Sequence, residues 1–331
     1  MTVVLLLAAF VLIVGGAIVF TNAVEWLGHS LGLGVGAVGA LLAAVGTALP
    51  ESVLPLVAVL SGGGEEAQDI AIGSIIGAPF LLGTLAMLLI GVSAAAFAGR
   101  RDQGRELCHD GPVVRRDLAC FLVLFPLGVL LGALAAPLGV RIAGAVVLVV
   151  GYAAYARVTA REGGEEESED DLAPLFFDTS KDDPPNAWQS GAQFAVSLAA
   201  IVAGAELFVH GVEDIAHSLG IATLVLALVL APLATELPEK ANSVLWVRAG
   251  KDSLALGNVT GAMVFQATIP VAFGMLATPW ELDRFAVAAA CLGLAGGAVA
   301  LWALRGERFG LAPSLAWGGL FTAFVVFAAL G

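Results

Sequence analysis

Apolar residues fill this chain in ten long runs, and the polar positions inside those runs are few enough to name. Taking roughly 20 apolar residues as one bilayer crossing, the runs fall at about 2–20, 31–60, 70–97, 118–136 and 139–157, then at about 191–210, 219–247, 254–277, 285–304 and 312–330. Each run predicts a transmembrane helix. The second and seventh are too long for one straight crossing, and each contains a Pro-Glu pair, Pro50-Glu51 and Pro238-Glu239. Proline removes a backbone donor and breaks a helix, freeing carbonyl oxygens that can face a cation. A carboxylate at membrane depth is costly, so the default reading of such a residue is an ion site. The third and eighth runs carry the glycine-bounded segments Gly73–Gly77 and Gly257–Gly261, which allow close helix approach and local unwinding against the Pro-Glu elements.

The two halves repeat one another. At a constant offset of 188, Gly16, Phe20, Glu25, His29, Ser30, Leu31 and Gly32 match Gly204, Phe208, Glu213, His217, Ser218, Leu219 and Gly220. The same register carries Thr47, Leu49, Pro50 and Glu51 onto Thr235, Leu237, Pro238 and Glu239. Beyond a loop four residues longer in the first half, Gly73, Gly77 and Ala78 match Gly257, Gly261 and Ala262. A duplicated half with an odd number of spans inserts with opposite orientation. The expected fold is therefore an all-α polytopic membrane protein of ten helices, in two inverted five-helix repeats with broken helices at the ion site. Residues 1–157 form the first repeat, 158–190 a linker and 191–331 the second repeat.

Composition supports a membrane protein, with 59% hydrophobic residues, 13% charged and a mean hydropathy of +0.94. The net charge of −13 comes largely from the linker, where Glu165–Asp171 is nearly all acidic. That run reads as a solvated acidic linker without EF-hand spacing, a calcium-sensing segment being the alternative, and Leu175-Phe176-Phe177 are expected at the membrane surface. The first Lys or Arg is Arg100, so residues 2–20 are expected as a retained helix and not a cleaved signal. Twelve of the fifteen Lys and Arg residues fall in alternate loops: Arg100, Arg101, Arg105, Arg115, Arg116, Arg157, Arg161, Lys181, Arg248, Lys251, Arg305 and Arg308. Positive loops stay inside, which puts both termini outside the cell and the 158–190 linker in the cytoplasm. Arg141 and Arg284 fall outside, and Lys240 lies within the membrane. Three cysteines form no close motif.

At this point Gly-Thr-Ala-Leu-Pro-Glu (46–51) and Ala-Thr-Glu-Leu-Pro-Glu (234–239) resemble the two Gly-Thr-Ser-Leu-Pro-Glu signatures of the cation/calcium exchanger superfamily. The branch most similar is the prokaryotic sodium/calcium exchangers. Gly-Ser-Ile-Ile-Gly-Ala-Pro (73–79) and Gly-Asn-Val-Thr-Gly-Ala-Met (257–263) resemble that family's Gly-Asn-x-x-Gly-Ser-Asn elements. The resemblance implies a secondary antiporter of the plasma membrane, in a prokaryote, moving Ca2+ or a similar divalent cation against Na+ or H+. It implies no cofactor, no nucleic acid and no obligate protein partner besides lipid and inorganic cations. Glu51 and Glu239 would be the calcium carboxylates, with Thr47 and Thr235 adding oxygen ligands. Hard oxygen donors of this kind suit a calcium ion, which takes six to eight of them.

The departures from that pattern bear on the coupling ion. Ala48 and Glu236 stand where the family has serine, Ala78 and Ala262 replace two further serines, and Leu82 and Gln266 replace an Asn or Asp. Those are the family's sodium positions, so a proton-coupled or altered-specificity exchanger, or a transport-inactive cation-binding protein, stays open beside the sodium reading. Glu236, Lys240, Gln266, Ser74 and Asn258 are candidates for the coupling-ion or proton site. Lys240 lies four residues after Glu236, where helix side chains meet, and is expected to snorkel, to pair, or to act as a tethered cation. Glu25, His29, Glu213 and His217 are expected as solvated side chains at span ends, and Glu206 as a relay candidate inside the sixth span. An intramembrane hydrolase is disfavoured because no His-Glu-x-x-His, nucleophile elbow or P-loop is present.

Overall fold

A segment surrounded by lipid must satisfy its backbone internally, and a helix does so without a partner strand. The computed structural model describes residues 2–30, 51–60, 64–108, 111–162, 174–178, 186–305, 308–309 and 312–330, and shows this in every apolar run it covers. The helices are α1 (Thr2–Ser30), α2 (Glu51–Leu60), α3 (Gly64–Leu81), α4 (Met87–Ala96), α5 (Gly111–Ala133), α6 (Leu138–Glu162), α7 (Ala187–Leu219), α8 (Thr223–Thr235), α9 (Leu237–Arg248), α10 (Asp252–Gln266), α11 (Ile269–Ala277), α12 (Arg284–Ala303) and α13 (Ala312–Leu330). Among the described residues, eight helical stretches are long and apolar enough to cross a membrane, α3–α4 and α10–α11 each counting as one. The shorter apolar helices are α2 and α8. Val4, Leu7 and Val11 on α1, and Leu315 and Val325 on α13, are exposed large apolar residues, as lipid-facing surfaces are.

Prolines set the interruptions. Pro79 has no N–H to give to the Ile75 carbonyl, and just beyond it the helix widens into a π-turn over Leu82–Ala86. Thr84 Oγ1 donates to the Phe80 carbonyl there at 2.6 Å. In the second half Pro270 cannot donate to the Gln266 carbonyl, and α10 ends at Gln266. At the sequence offset of 184 between these elements, the α10–α11 break falls on the π-turn. The glycine-bounded segments themselves stay helical, so the local loosening expected at 73–77 and 257–261 occurs a turn or two later.

Helix ends account for where the observed lengths differ from the apolar runs. Pro112 sits in the first turn of α5, a position where its missing N–H is harmless, so the helix begins at Gly111, ahead of the run at 118–136. Gly220, at φ 66°, closes α7 in a left-handed conformation nine residues past the predicted end at 210. Two-residue strands, Leu107–Cys108 and Arg308–Phe309, pair antiparallel and are a small departure from the all-α expectation.

Among the described residues two large apolar cores form, beside a small cluster of Tyr152, Val264 and Phe265. One joins α1, α2, α3, α7 and α8 around Ile13, Phe20, Leu54 and Phe208. The other joins α3–α5 to α10–α13 around Phe80, Phe121, Phe125, Trp280 and Trp317. The π-turn after α3 crosses α12 where a Cβ at Gly83 would lie 2.6 Å from the Gly293 carbonyl, a backbone approach only small residues permit.

The basic loops gather at one end of the helices. Arg101 pairs with Asp252, Arg115 donates to the Leu304 and Arg305 carbonyls, Arg248 stacks over Phe97, and Cys108 pairs with Arg308. At the far end of α5, about 35 Å away at 1.5 Å per residue, Arg141 donates to the Thr278 and Pro279 carbonyls. Part of the linker is tied to α1 and α7. Phe177 N–H donates to Gln193 Oε1 at 2.9 Å, and Gln193 Nε2 donates to the Val19 carbonyl and Asn22 Oδ1, each at 2.9 Å. Leu175 is buried in the protein, while the Phe176 and Phe177 rings are exposed. The acidic run at 165–171 lies outside the described residues.

Candidate functional site

The described centre of the site is the bend between α8 and α9. Pro238 has no N–H for the Ala234 carbonyl, and the chain turns at Glu236 with φ −94° and ψ 6°. Thr235 ends α8 with its side chain buried, and its Oγ1 donates to the Ala231 carbonyl at 3.3 Å. Glu236 is 2% exposed and Lys240 5% exposed, so neither charge reaches water. The Lys240 ammonium turns back onto Glu236 Oε2. Their i,i+4 relation survives the bend because Lys240 N–H donates to the Glu236 carbonyl at 3.1 Å. Of the expected fates of Lys240, snorkelling is the one this geometry removes.

Glu51 lies on α2 and is buried. That helix shares an apolar core with α8: Val53, Leu54 and Val57 pack together with Ala227, Ala231 and Ala234. Thr47 and the side chain of Glu239 lie outside the described residues, Glu239 standing in α9 between Pro238 and Lys240. Ser74 is buried on α3 and donates to the Ala71 carbonyl at 2.9 Å, a bond within its own helix. Asn258 reaches from α10 to α9, where its Nδ2 donates to Ser243 Oγ at 3.4 Å. Gln266 is buried at the α10–α11 break.

The glycines of α3 fix the position of α8. A Cβ on Gly73 would lie 2.6 Å from the Ala227 Cβ and 3.1 Å from the Leu224 carbonyl, and one on Gly77 would strike the Leu228 carbonyl itself. Gly77→Ala should therefore destabilise by about 1–3 kcal/mol, as overpacking does, and displace Thr235 and the bend. Gly319→Ala on α13, where nothing among the described residues lies within 4 Å, serves as the neutral control. Thermal midpoints in detergent would read both. Gly257 and Gly261 have no comparably close backbone neighbour among the described residues. Their counterparts of Leu224 and Leu228, residues 36 and 40 at the 188 offset, lie outside those residues.

One buried cluster was not singled out in the sequence. Asp117 on α5 is 1% exposed and accepts from Tyr155 of α6 at 3.0 Å and Thr260 of α10 at 2.8 Å. It ties the Gly257–Gly261 segment to two other helices. Of the outlying candidates, His217 pairs with Glu66 at 3.0 Å and His210 with Glu213 at 3.6 Å, both on exposed histidines as expected of solvated ends. Glu206 lies on an exposed face of α7 outside the core, which removes it as a relay within the site. The side chains of Glu25 and His29 lie outside the described residues.

The sodium/calcium exchanger protein family matches this chain over residues 1–160 and 190–330. The chain belongs to that family. This exchanger-family chain is 25% identical over 283 residues to the putative antiporter CaxA of Alkalimonas amylolytica, covering 85% of this chain and 82% of the relative. It is 26% identical over 286 residues to the inner membrane protein YrbG of Escherichia coli K12, again covering 85% and 82%. Its fold matches the H+/Ca2+ exchanger CAX with a TM-score of 0.73 at 20% identity, over 98% of this chain and 81% of that one. It matches the sodium-calcium exchanger NCX_Mj with a TM-score of 0.61 at 20% identity, over 98% of each. The family is one of membrane antiporters and not of enzymes.

Proposed function

We propose that this exchanger-family protein is a secondary antiporter that carries Ca2+, or a similar divalent cation, against Na+ or H+ by alternating access. The observation that carries the reading is the pair of buried acidic residues, Glu51 on α2 and Glu236 at the α8–α9 bend, inside an apolar, membrane-spanning exchanger fold. Glu51 and Glu239 would supply the divalent carboxylates, with Thr47, Thr235 and the carbonyls freed by proline adding neutral oxygens. Glu236, Gln266, Ser74 and Asn258 would form the coupling-ion positions.

Residues 1–157 and 191–331 are proposed as inverted five-helix repeats, ten crossings in all, joined by a cytoplasmic linker at 158–190. The element order supports this: a long helix (α1, α7), a Pro-Glu element (α2, α8–α9), an interrupted helix (α3–α4, α10–α11) and two uninterrupted helices (α5 and α6, α12 and α13) recur in sequence. The grouping of basic loops at one end supports a plasma-membrane orientation with both ends of the chain outside. The ions are cargo, and the reading needs no cofactor.

Proton coupling is the second reading. It is favoured by apolar residues at sodium positions of the family pattern, Ala48, Ala78, Leu82 and Ala262, together with the added carboxylate of Glu236. Reconstitution into proteoliposomes with Na+ and pH gradients imposed separately tests both readings. Calcium uptake driven by one gradient identifies the coupling ion, and no uptake under either overturns the transport reading.

A further inference from the structure

The exchanger reading places Glu236 among the coupling-ion positions but gives its pairing with Lys240 no role. Taking two charges out of water costs several kcal/mol per ion before their attraction is counted, and two apolar side chains would fill the same space without that cost. The pair sits at the bend of a broken membrane helix. Glu236 uses one oxygen for the ammonium, and its Oε1 has no hydrogen-bond partner among the described residues. That buried oxygen is left to take a further cation or donor, while Ser243 and Asn258 supply further polar atoms about one turn beyond Lys240.

Charge balance gives the pair a meaning. A dication offsets Glu51 and Glu239, and Glu236 adds one negative charge more. Lys240 supplies the matching positive charge from the same turn of helix. Resting on the exchanger reading, we propose that the Lys240 ammonium is a resident monovalent cation. It fills, against Glu236, a cation position in the site that a free ion of Na+ type would otherwise take. One positive charge that an exchanger of this kind would draw from solution is here built into the chain. The specificity of the coupling site then depends on Lys240 as well as on its oxygen ligands.

The test is Na+ binding to purified Lys240→Ala. Removing the ammonium should open a Na+ position, so that the thermal midpoint of the variant rises about 5 °C more than that of the unsubstituted protein when roughly 100 mM Na+ is added. Methylammonium, a small cation of the chemistry lost, should substitute for Na+. Adding Glu236→Gln to Lys240→Ala should abolish the extra rise, because the counter-charge is gone. Equal Na+ responses in the variant and the unsubstituted protein would make the pair structural and overturn the proposal. If Lys240→Ala cannot be recovered even from Na+-containing buffer, the proposal also fails, since a free cation should have filled the place. These readouts need no flux. Failure of calcium uptake by the unsubstituted protein would overturn the exchanger reading separately.

Discussion

Glu51→Gln should abolish divalent-cation exchange, by about 100-fold or more, while leaving the protein folded. Glu51 on α2 is 7% exposed, so its charge is held away from water beside an apolar core. A carboxylate so placed is by default read as a functional site. A calcium site relies on carboxylates for its negative charge, and an amide keeps the volume but removes one of the two charges proposed to balance the dication. A 100-fold loss corresponds to about 2.7 kcal/mol, modest for a full charge in a poorly solvated place. Folding should survive, because burying a neutral amide costs less than burying a carboxylate. Calcium uptake into vesicles, beside a thermal midpoint within a few degrees of the parent, is the measurement. Unchanged uptake would show that the cation passes elsewhere, and Glu239→Gln should repeat the loss if the two halves share one site.

The parts of the fold visible in the sequence are those governed by a local chemical necessity. Pro238 lacks an N–H wherever it stands, so a bend near Glu236 follows from the sequence, and the structure places it there. Gly73 and Gly77 are legible as close-approach positions because no other residue leaves room for a carbonyl, and α8 lies against them. The ten apolar runs follow from the length of a crossing, and the described helices occupy nine of them and part of the tenth.

What the sequence leaves open depends on which helix lies beside which. Asp117 stands just before the apolar run at 118–136 and so looks like a boundary residue. α5 begins at Gly111, and that extension carries Asp117 inward to meet Tyr155 and Thr260. Spacing alone leaves Lys240 undecided between solvent and Glu236, because an i,i+4 contact across a proline bend depends on the angle of the bend. Leu175 looks like a membrane-surface residue until Gln193 and Asn22, distant in sequence, are seen to hold its neighbours. Within the candidate site, the roles of Thr47, Thr235, Glu51 and Glu239 rest on pattern and placement together, and the vesicle experiments decide them.

The contact hardest to foresee is also the one whose loss should destabilise most. Arg101 and Asp252 are 151 positions apart, in loops that read only as basic or as helix starts. In the structure the Arg101 Nη2 donates to Asp252 Oδ1 at 2.7 Å, to Oδ2 at 2.6 Å and to the Glu106 carbonyl at 3.0 Å. The two side chains are 0% and 1% exposed, and Cys108 N–H also donates to Asp252 at 3.0 Å. Asp252 begins α10, where the helix dipole favours a carboxylate. Arg101→Met should lower stability by about 3–5 kcal/mol, because it leaves a buried carboxylate without its countercharge. The loss should be insensitive to salt, since ions do not screen a pair this deeply buried. Arg101→Met with Asp252→Leu should recover most of it, because replacing both members of a buried pair with apolar residues is often neutral. Thermal or denaturant unfolding in detergent of the two single variants and the double variant closes the cycle. A cost below about 1 kcal/mol for Arg101→Met would be that of a solvated surface pair, and would mean that this end of α10 is open to water.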